Sequence, residues 1–179
     1  MKPRLNTSRV IWHHSLSKDV SAKTIREWHL ERGFDDIGYH FVIRENGIIE
    51  TGREERLIPA ANKGRNYDSI AICITGDFRK GDAAPLQKEA AKAIYWSLCK
   101  RYGILKNEFH RGMEDAEPCP GLKFDRLAFK SMLEYSVLTL QEVPRKEPES
   151  TEIDSPEVQE EIATGLWTLL KKALKLLFH

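Results

Sequence analysis

The chain is poor in the features that staple or anchor a protein. Its 179 residues include three cysteines, Cys73, Cys99 and Cys119. An odd number cannot pair completely, and their spacing is neither that of a disulfide scaffold nor that of a paired zinc knuckle. A small disulfide-built fold is excluded, and a reducing compartment is the expectation. No stretch reaches the ~20 apolar residues that a membrane span needs. The first fifteen residues, MKPRLNTSRVIWHHS, contain no apolar run of signal-peptide length. These two absences lead us to expect a protein made and held in the cytoplasm. The formal net charge is +1, so no global field favours nucleic acid as a partner. There is no internal repeat.

What is present reads as an ordinary globular chain, 41% hydrophobic and 31% charged. Its length suits one compact domain with an appendage. Residues 9–13 predict a short buried strand, because Val10, Ile11 and Trp12 are bulky and contiguous. Ser21 can cap a following helix in which Ile25, Trp28 and His29 share a face and which Gly33 ends. Residues 38–52 predict a hairpin turning at Asn46-Gly47. The apolar run at 69–77 suits a central strand buried on both faces. Leu86, Ala90, Ala93, Ile94 and Leu98 mark a helix over 86–102, stopped by Gly103. Residues 104–109 can extend to deliver His110 to a strand end. A last helix over 124–138 would place Phe124, Leu127, Ala128, Met132 and Leu133 towards the core. Strands alternating with helices imply an α/β domain, a single mixed sheet flanked by helices.

The composition changes near Leu140, which divides the chain into a domain at 1–139, a linker at 140–163 and a tail at 164–179. The linker is acidic, contains three prolines and has little to bury. The tail predicts a cationic amphipathic helix. Leu166, Leu169, Leu170, Ala173, Leu174 and Leu177 form one stripe, and Lys171, Lys172 and Lys175 lie opposite. Such a helix suits an anionic membrane or outer-envelope surface. Docking on its own domain or self-association suits it too, so the oligomeric state stays open.

One constellation carries chemistry. A catalytic zinc takes three protein ligands and leaves a fourth position for water. Imidazole and thiolate both suit it. His13 and His110 fall at strand ends, and Cys119 follows in a loop that Pro118 and Pro120 stiffen. By spacing alone, purely structural roles for these residues stay open.

The residues around them carry a resemblance. WHHS, TIREWHLERGFDDIGYHFVIRENGIIETGR, KGRNYDSIAICITGDF and HRGMEDAEPCPG together resemble the zinc-dependent N-acetylmuramoyl-L-alanine amidases. That family includes phage endolysins and animal peptidoglycan recognition proteins. The likeness runs from about Val10 to Leu133, in the family's motif order. It implies an amidase fold and one Zn2+ held by His13, His110 and Cys119 plus water, with His14 the fallback for His13. It implies Tyr39 as a catalytic residue that stabilises the oxyanion or orients the water. His40 then reads as a packed histidine. The implied reaction is hydrolysis of the amide bond between N-acetylmuramic acid and L-alanine in peptidoglycan, as a phage or prophage endolysin released from the cytoplasm to the cell wall. Two alternatives are a recognition module that binds peptidoglycan without cutting it and a cytoplasmic amidase that recycles muropeptides.

The chain departs from the family pattern near Cys119. Glu117 stands where the family often has Lys or Thr, and the gap from His110 looks one residue longer. Glu117 is thus the expected general base, with Glu114 and Asp115 as competitors. Ala61 replaces a common His, and Gly112 a common Asp. Arg65 and Asn66 are expected near the cleft, where glycan contact and a plain solvated loop are equally open. Cys73 and Cys99 read as packed thiols.

Overall fold

A computed structural model describes residues 1–103, 105–111 and 117–142. The expected tail at 164–179 lies outside these residues, as does the expected linker apart from its first three positions. So do Gly112, Glu114 and Asp115.

The described residues form strand β1 (Arg9–His14), helix α1 (Ala22–Glu31), strands β2 (Phe41–Ile43), β3 (Ile49–Thr51) and β4 (Ser69–Ile74), helix α2 (Pro85–Tyr102), strand β5 (Lys106–Phe109) and helix α3 (Arg126–Glu142). The five strands make one mixed sheet in the order β3-β2-β4-β1-β5. β1 runs parallel to both β4 and β5, β2 is parallel to β4, and the β2–β3 hairpin is antiparallel. Central parallel strands are covered on both faces, which is why β1 and β4 are nearly continuous apolar runs.

Alternation sorts their side chains. Val10 and Trp12 of β1 join Ile70, Ile72 and Ile74 of β4 in the larger core, together with α2 and α3. Cys73 and Val42 face the other way, into a smaller core with Ala22 and Ile25 of α1. Trp12 meets Phe129 of α3 edge to face at 5.0 Å, and its indole N–H donates to Asn107 at 3.0 Å. Helix α1 begins as expected, with the Ser21 hydroxyl accepting the Thr24 N–H.

Two helical faces differ from expectation. In α2 the buried set is Gln87, Ala90, Ala91, Ile94, Tyr95, Leu98 and Cys99, while Leu86 and Ala93 are exposed. Gln87 faces inward because its amide donates to the Thr75 carbonyl at 2.8 Å. In α3, Phe129, Leu133 and Val137 are buried, and Leu127 and Ala128 face solvent. That helix also starts and ends later than its apolar spacing suggests, and it continues past residue 139.

Gly121 fixes the loop that follows β5. A Cβ there would lie 2.3 Å from the Phe78 carbonyl carbon and 2.4 Å from the Arg79 nitrogen. The nearby Lys123 N–H donates to the Phe78 carbonyl at 2.8 Å. Gly33, by contrast, has φ +82° and open space around it. Gly33→Ala should therefore cost only about 1 kcal/mol, from left-handed backbone strain. Gly121→Ala forces backbone apart and should cost at least about 2 kcal/mol, within the ~1–3 kcal/mol of overpacking. Urea midpoints of the two variants test this order, and equal losses would contradict it.

Candidate metal centre

Two strand ends and one loop meet at the carboxyl edge of the sheet, where open α/β sheets commonly place ligands. Trp12 pairs with Phe109 across β1 and β5, so the next residues, His13 and His110, emerge side by side. Trp12 and Phe109 turn towards the larger core, so alternation turns both histidines to the opposite face. Their rings lie 4.6 Å apart. Cys119 reaches them from the following loop, where its carbonyl accepts the Arg111 N–H at 3.2 Å. Donor atoms of His13, His110 and Cys119 all lie within 4.8 Å of one another.

This donor set fits one metal ion. His13 is 1% exposed, and its Nε2 has no hydrogen-bond partner among the described residues. Buried polar atoms are nearly always partnered, so an orphaned ring nitrogen on a residue grouped with two other donors calls for a ligand. Burial, with His110 and His14 adding to it, pushes the His13 pKa well below its usual value. The ring is therefore neutral, as a metal ligand must be. Burial raises the Cys119 thiol, and the His14 backbone N–H, Arg126 and Arg111 oppose that rise.

His14 is held elsewhere. Its ring stacks on Phe78 at 5.8 Å, and its Nδ1 accepts the Phe78 N–H at 3.2 Å. Tyr39 lies against His13, with ring centroids 5.0 Å apart. Burial, then Cys73 and Cys119, raise its phenol well above the usual value, so it stays a proton donor. Glu117 sits at the rim with its side chain 81% exposed, 3.6 Å from the Arg111 guanidinium. The cleft between them, of about 320 Å³, is lined by Tyr39, His110, Glu117 and Cys119 among others. A larger depression of about 650 Å³ shares the Leu16 wall but contains none of the three donors. Chemistry, not size, marks the smaller one as the site.

His40 is a packed histidine, with Nε2 against the Leu57 carbonyl at 2.9 Å and Nδ1 accepting the Ala71 N–H at 3.0 Å. Cys73 and Cys99 are buried thiols. Asn66 and Arg65 are engaged within the fold. The Asn66 side-chain oxygen accepts the Ala61 and Asn62 N–H groups, and Arg65 pairs with Glu108.

Three supporting residues have roles that the sequence reading did not assign. The His29 Nδ1 accepts the Gly38 N–H at 2.8 Å, and its ring lies 5.4 Å from Tyr39. The buried Arg53 guanidinium donates to the Asp36, Ile37 and Ile58 carbonyls, fixing the backbone just before Tyr39. The Asn62 amide donates to the His110 carbonyl at 3.4 Å. Only His29 left a trace in the pattern, as a polar residue on the inward face of α1.

Comparison with known proteins agrees with this geometry. The N-acetylmuramoyl-L-alanine amidase family pattern matches residues 3–122. The endolysin of Enterobacteria phage T3 is 34% identical over 135 residues, spanning 70% of this chain and 87% of the relative. The solved amidase LysC from Clostridium intestinale is similar with a TM-score of 0.67 at 30% identity, covering 73% of this chain and 87% of its own. Drosophila PGRP-LB is similar at a TM-score of 0.60 and 30% identity, covering 69% of this chain and 83% of its own.

The packed histidines make stability depend on pH. Burial, above all, lowers His29 and His40 from 6.5 to about 4. Each accepts a backbone N–H on Nδ1, which protonation would block. Between those pH values the unfolded chain binds more protons than the folded one, so stability rises with pH there. The contribution is full above about pH 6.5 and is lost as pH falls towards 4. Urea midpoints should fall steadily across that window, and His40→Gln should flatten the slope. A midpoint that stays constant from pH 7 to 4.5 would refute this account.

Proposed function

As a member of the N-acetylmuramoyl-L-alanine amidase family, this chain hydrolyses a peptidoglycan amide bond, and we propose that His13, His110 and Cys119 hold the zinc ion it uses. The family is generally zinc-dependent. The convergence of donor atoms from His13, His110 and Cys119, on a His13 ring whose buried Nε2 has no partner among the described residues, carries this reading. A zinc bound there supplies an activated water and polarises the scissile carbonyl.

This chain's own residues do the rest. Tyr39, kept protonated by burial, donates to the oxygen on which negative charge builds in the tetrahedral intermediate. Glu117 takes the proton of the attacking water and passes it to the leaving amine of L-alanine. Its place at the rim, beside Arg111 and two residues from Cys119, supports that role. Leu16, Pro118 and Leu122 give the cleft an apolar wall beside its polar groups. We infer an endolysin that cuts intact wall. Among the described residues no helix is long and apolar enough to cross a membrane. We assign membrane contact to residues 164–179, whose lysines and leucines suit an anionic surface.

Digestion of intact sacculi, read by mass analysis for peptides with a free L-alanine amino terminus, tests the reaction. Chelator should abolish release and added zinc restore it. Cys119→Ser should lose both zinc and activity. Tyr39→Phe should keep zinc and lose about 10²–10³ in kcat, as for a single oxyanion donor. An active, metal-free Cys119→Ser protein would sink the zinc mechanism. For the tail, a chain lacking residues 164–179 should no longer release dye from anionic liposomes while keeping its activity on soluble muropeptides. Undiminished leakage would end the membrane assignment.

A further inference from the structure

The two ligands on the β5 side, His110 and Cys119, belong to separate backbone segments. Arg126, the first residue of α3, touches both. Its Nη1 donates to the Arg111 carbonyl at 2.6 Å, one residue past His110. Its Nη2 donates to the Pro120 carbonyl at 2.5 Å, one residue past Cys119. The guanidinium lies over the ring of Phe109, the residue before His110, at 5.1 Å. Three contacts therefore fall on immediate chain neighbours of two ligands.

The base of this arm is firmly held. The Asp125 side chain caps the helix start by accepting the Ala128 N–H at 2.9 Å. Phe129 and Leu133, further along α3, are buried in the larger core. Arg126 thus projects from a fixed helix end, and its planar fork offers two donors at a set separation. A lysine in its place carries the same charge but concentrates its donors on one nitrogen, which cannot reproduce the fork.

We propose that Arg126 is a positioning residue for the metal centre, clamping the His110 and Cys119 segments at the separation a single ion requires. The proposal rests on the zinc reading above and deepens it. It gives the charge of Arg126 a minor part and its forked geometry the main one. Partners that orient ligands typically change metal affinity by about 10- to 100-fold when removed.

The test uses the full chain with Arg126→Gln and Arg126→Lys. Zinc affinity is measured by chelator competition, and the cobalt-substituted proteins are compared by visible absorption. Thermal unfolding of each metal-free protein monitors the fold separately. Both variants should bind zinc about 10- to 100-fold more weakly than the parent and show altered cobalt bands. Their metal-free midpoints should stay close to that of the metal-free parent. If the glutamine variant does not fold, the milder lysine variant decides. Unchanged affinity and cobalt spectrum in a parent that binds one zinc would overturn the clamp and leave the zinc reading standing. Parental affinity in the lysine variant alone would overturn the fork in favour of charge. A parent that takes up no zinc would overturn both.

Discussion

The register between β1 and β5 is the constraint on which this site depends. Strand side chains alternate, so a slip of one residue would send His13 or His110 to the wrong face. Locks on both faces prevent it. On one, the Trp12 indole N–H reaches Asn107 at 3.0 Å. On the other, Arg9 meets Glu108 at 3.0 Å and, with its remaining donors, Asp68 beside β4 at 2.8 Å. Arg9 therefore ties three strands together at the edge away from the metal centre. All three of these side chains are at most about one-fifth exposed, which screens the pairs less than open surface pairs. The ion pairs hold the register, and the register places the two histidines.

The histidines show how one residue type serves two purposes. His13 and His110 present nitrogens to a shared centre. His14, His29 and His40 each accept a backbone N–H on Nδ1. What separates the groups is where the backbone leaves a nitrogen facing. In the second group a main-chain donor arrives first, and the imidazole acts as a neutral fastener. For His13 Nε2 none arrives among the described residues. Burial is the first cause that lowers His13 and all three fasteners, so one physical effect keeps an orphaned nitrogen and the partnered ones neutral.

The parts of this arrangement legible in sequence are those set by short-range periodicity. The apolar run of β1 and the extended segment before His110 placed the two histidines at strand ends, and the β1–β5 register then turns them to one face. The Asn46-Gly47 signal located the hairpin. Helical faces were harder. Leu86, Leu127 and Ala128 fit an apolar spacing yet point outward, because Gln87 and Phe129 had better claims to the interior, one through a hydrogen bond and one through aromatic packing. Arg53 and Arg126 were illegible for another reason. Each binds main-chain carbonyls, which every residue possesses, so nothing in the side-chain pattern marks their partners.

The departure at Glu117 makes sense against the distribution of charge around the cleft. The buried part is neutral or protonated. His13 is held uncharged by burial, and Tyr39 keeps its proton for the same reason. Among the described residues around the cleft, formal charge lies at the rim, where Arg111 faces Glu117 and Arg79 pairs with Asp77. A cation two residues before Cys119 would serve as a fixed oxyanion donor. A carboxylate there cannot do so, which is why the proposed mechanism gives that task to the buried phenol of Tyr39. The rim carboxylate is instead exposed to solvent beside Arg111, a position that suits the base role proposed for it. The proposed mechanism thereby divides oxyanion stabilisation and proton transfer between a buried residue and an exposed one, each suited by its exposure to the step proposed for it.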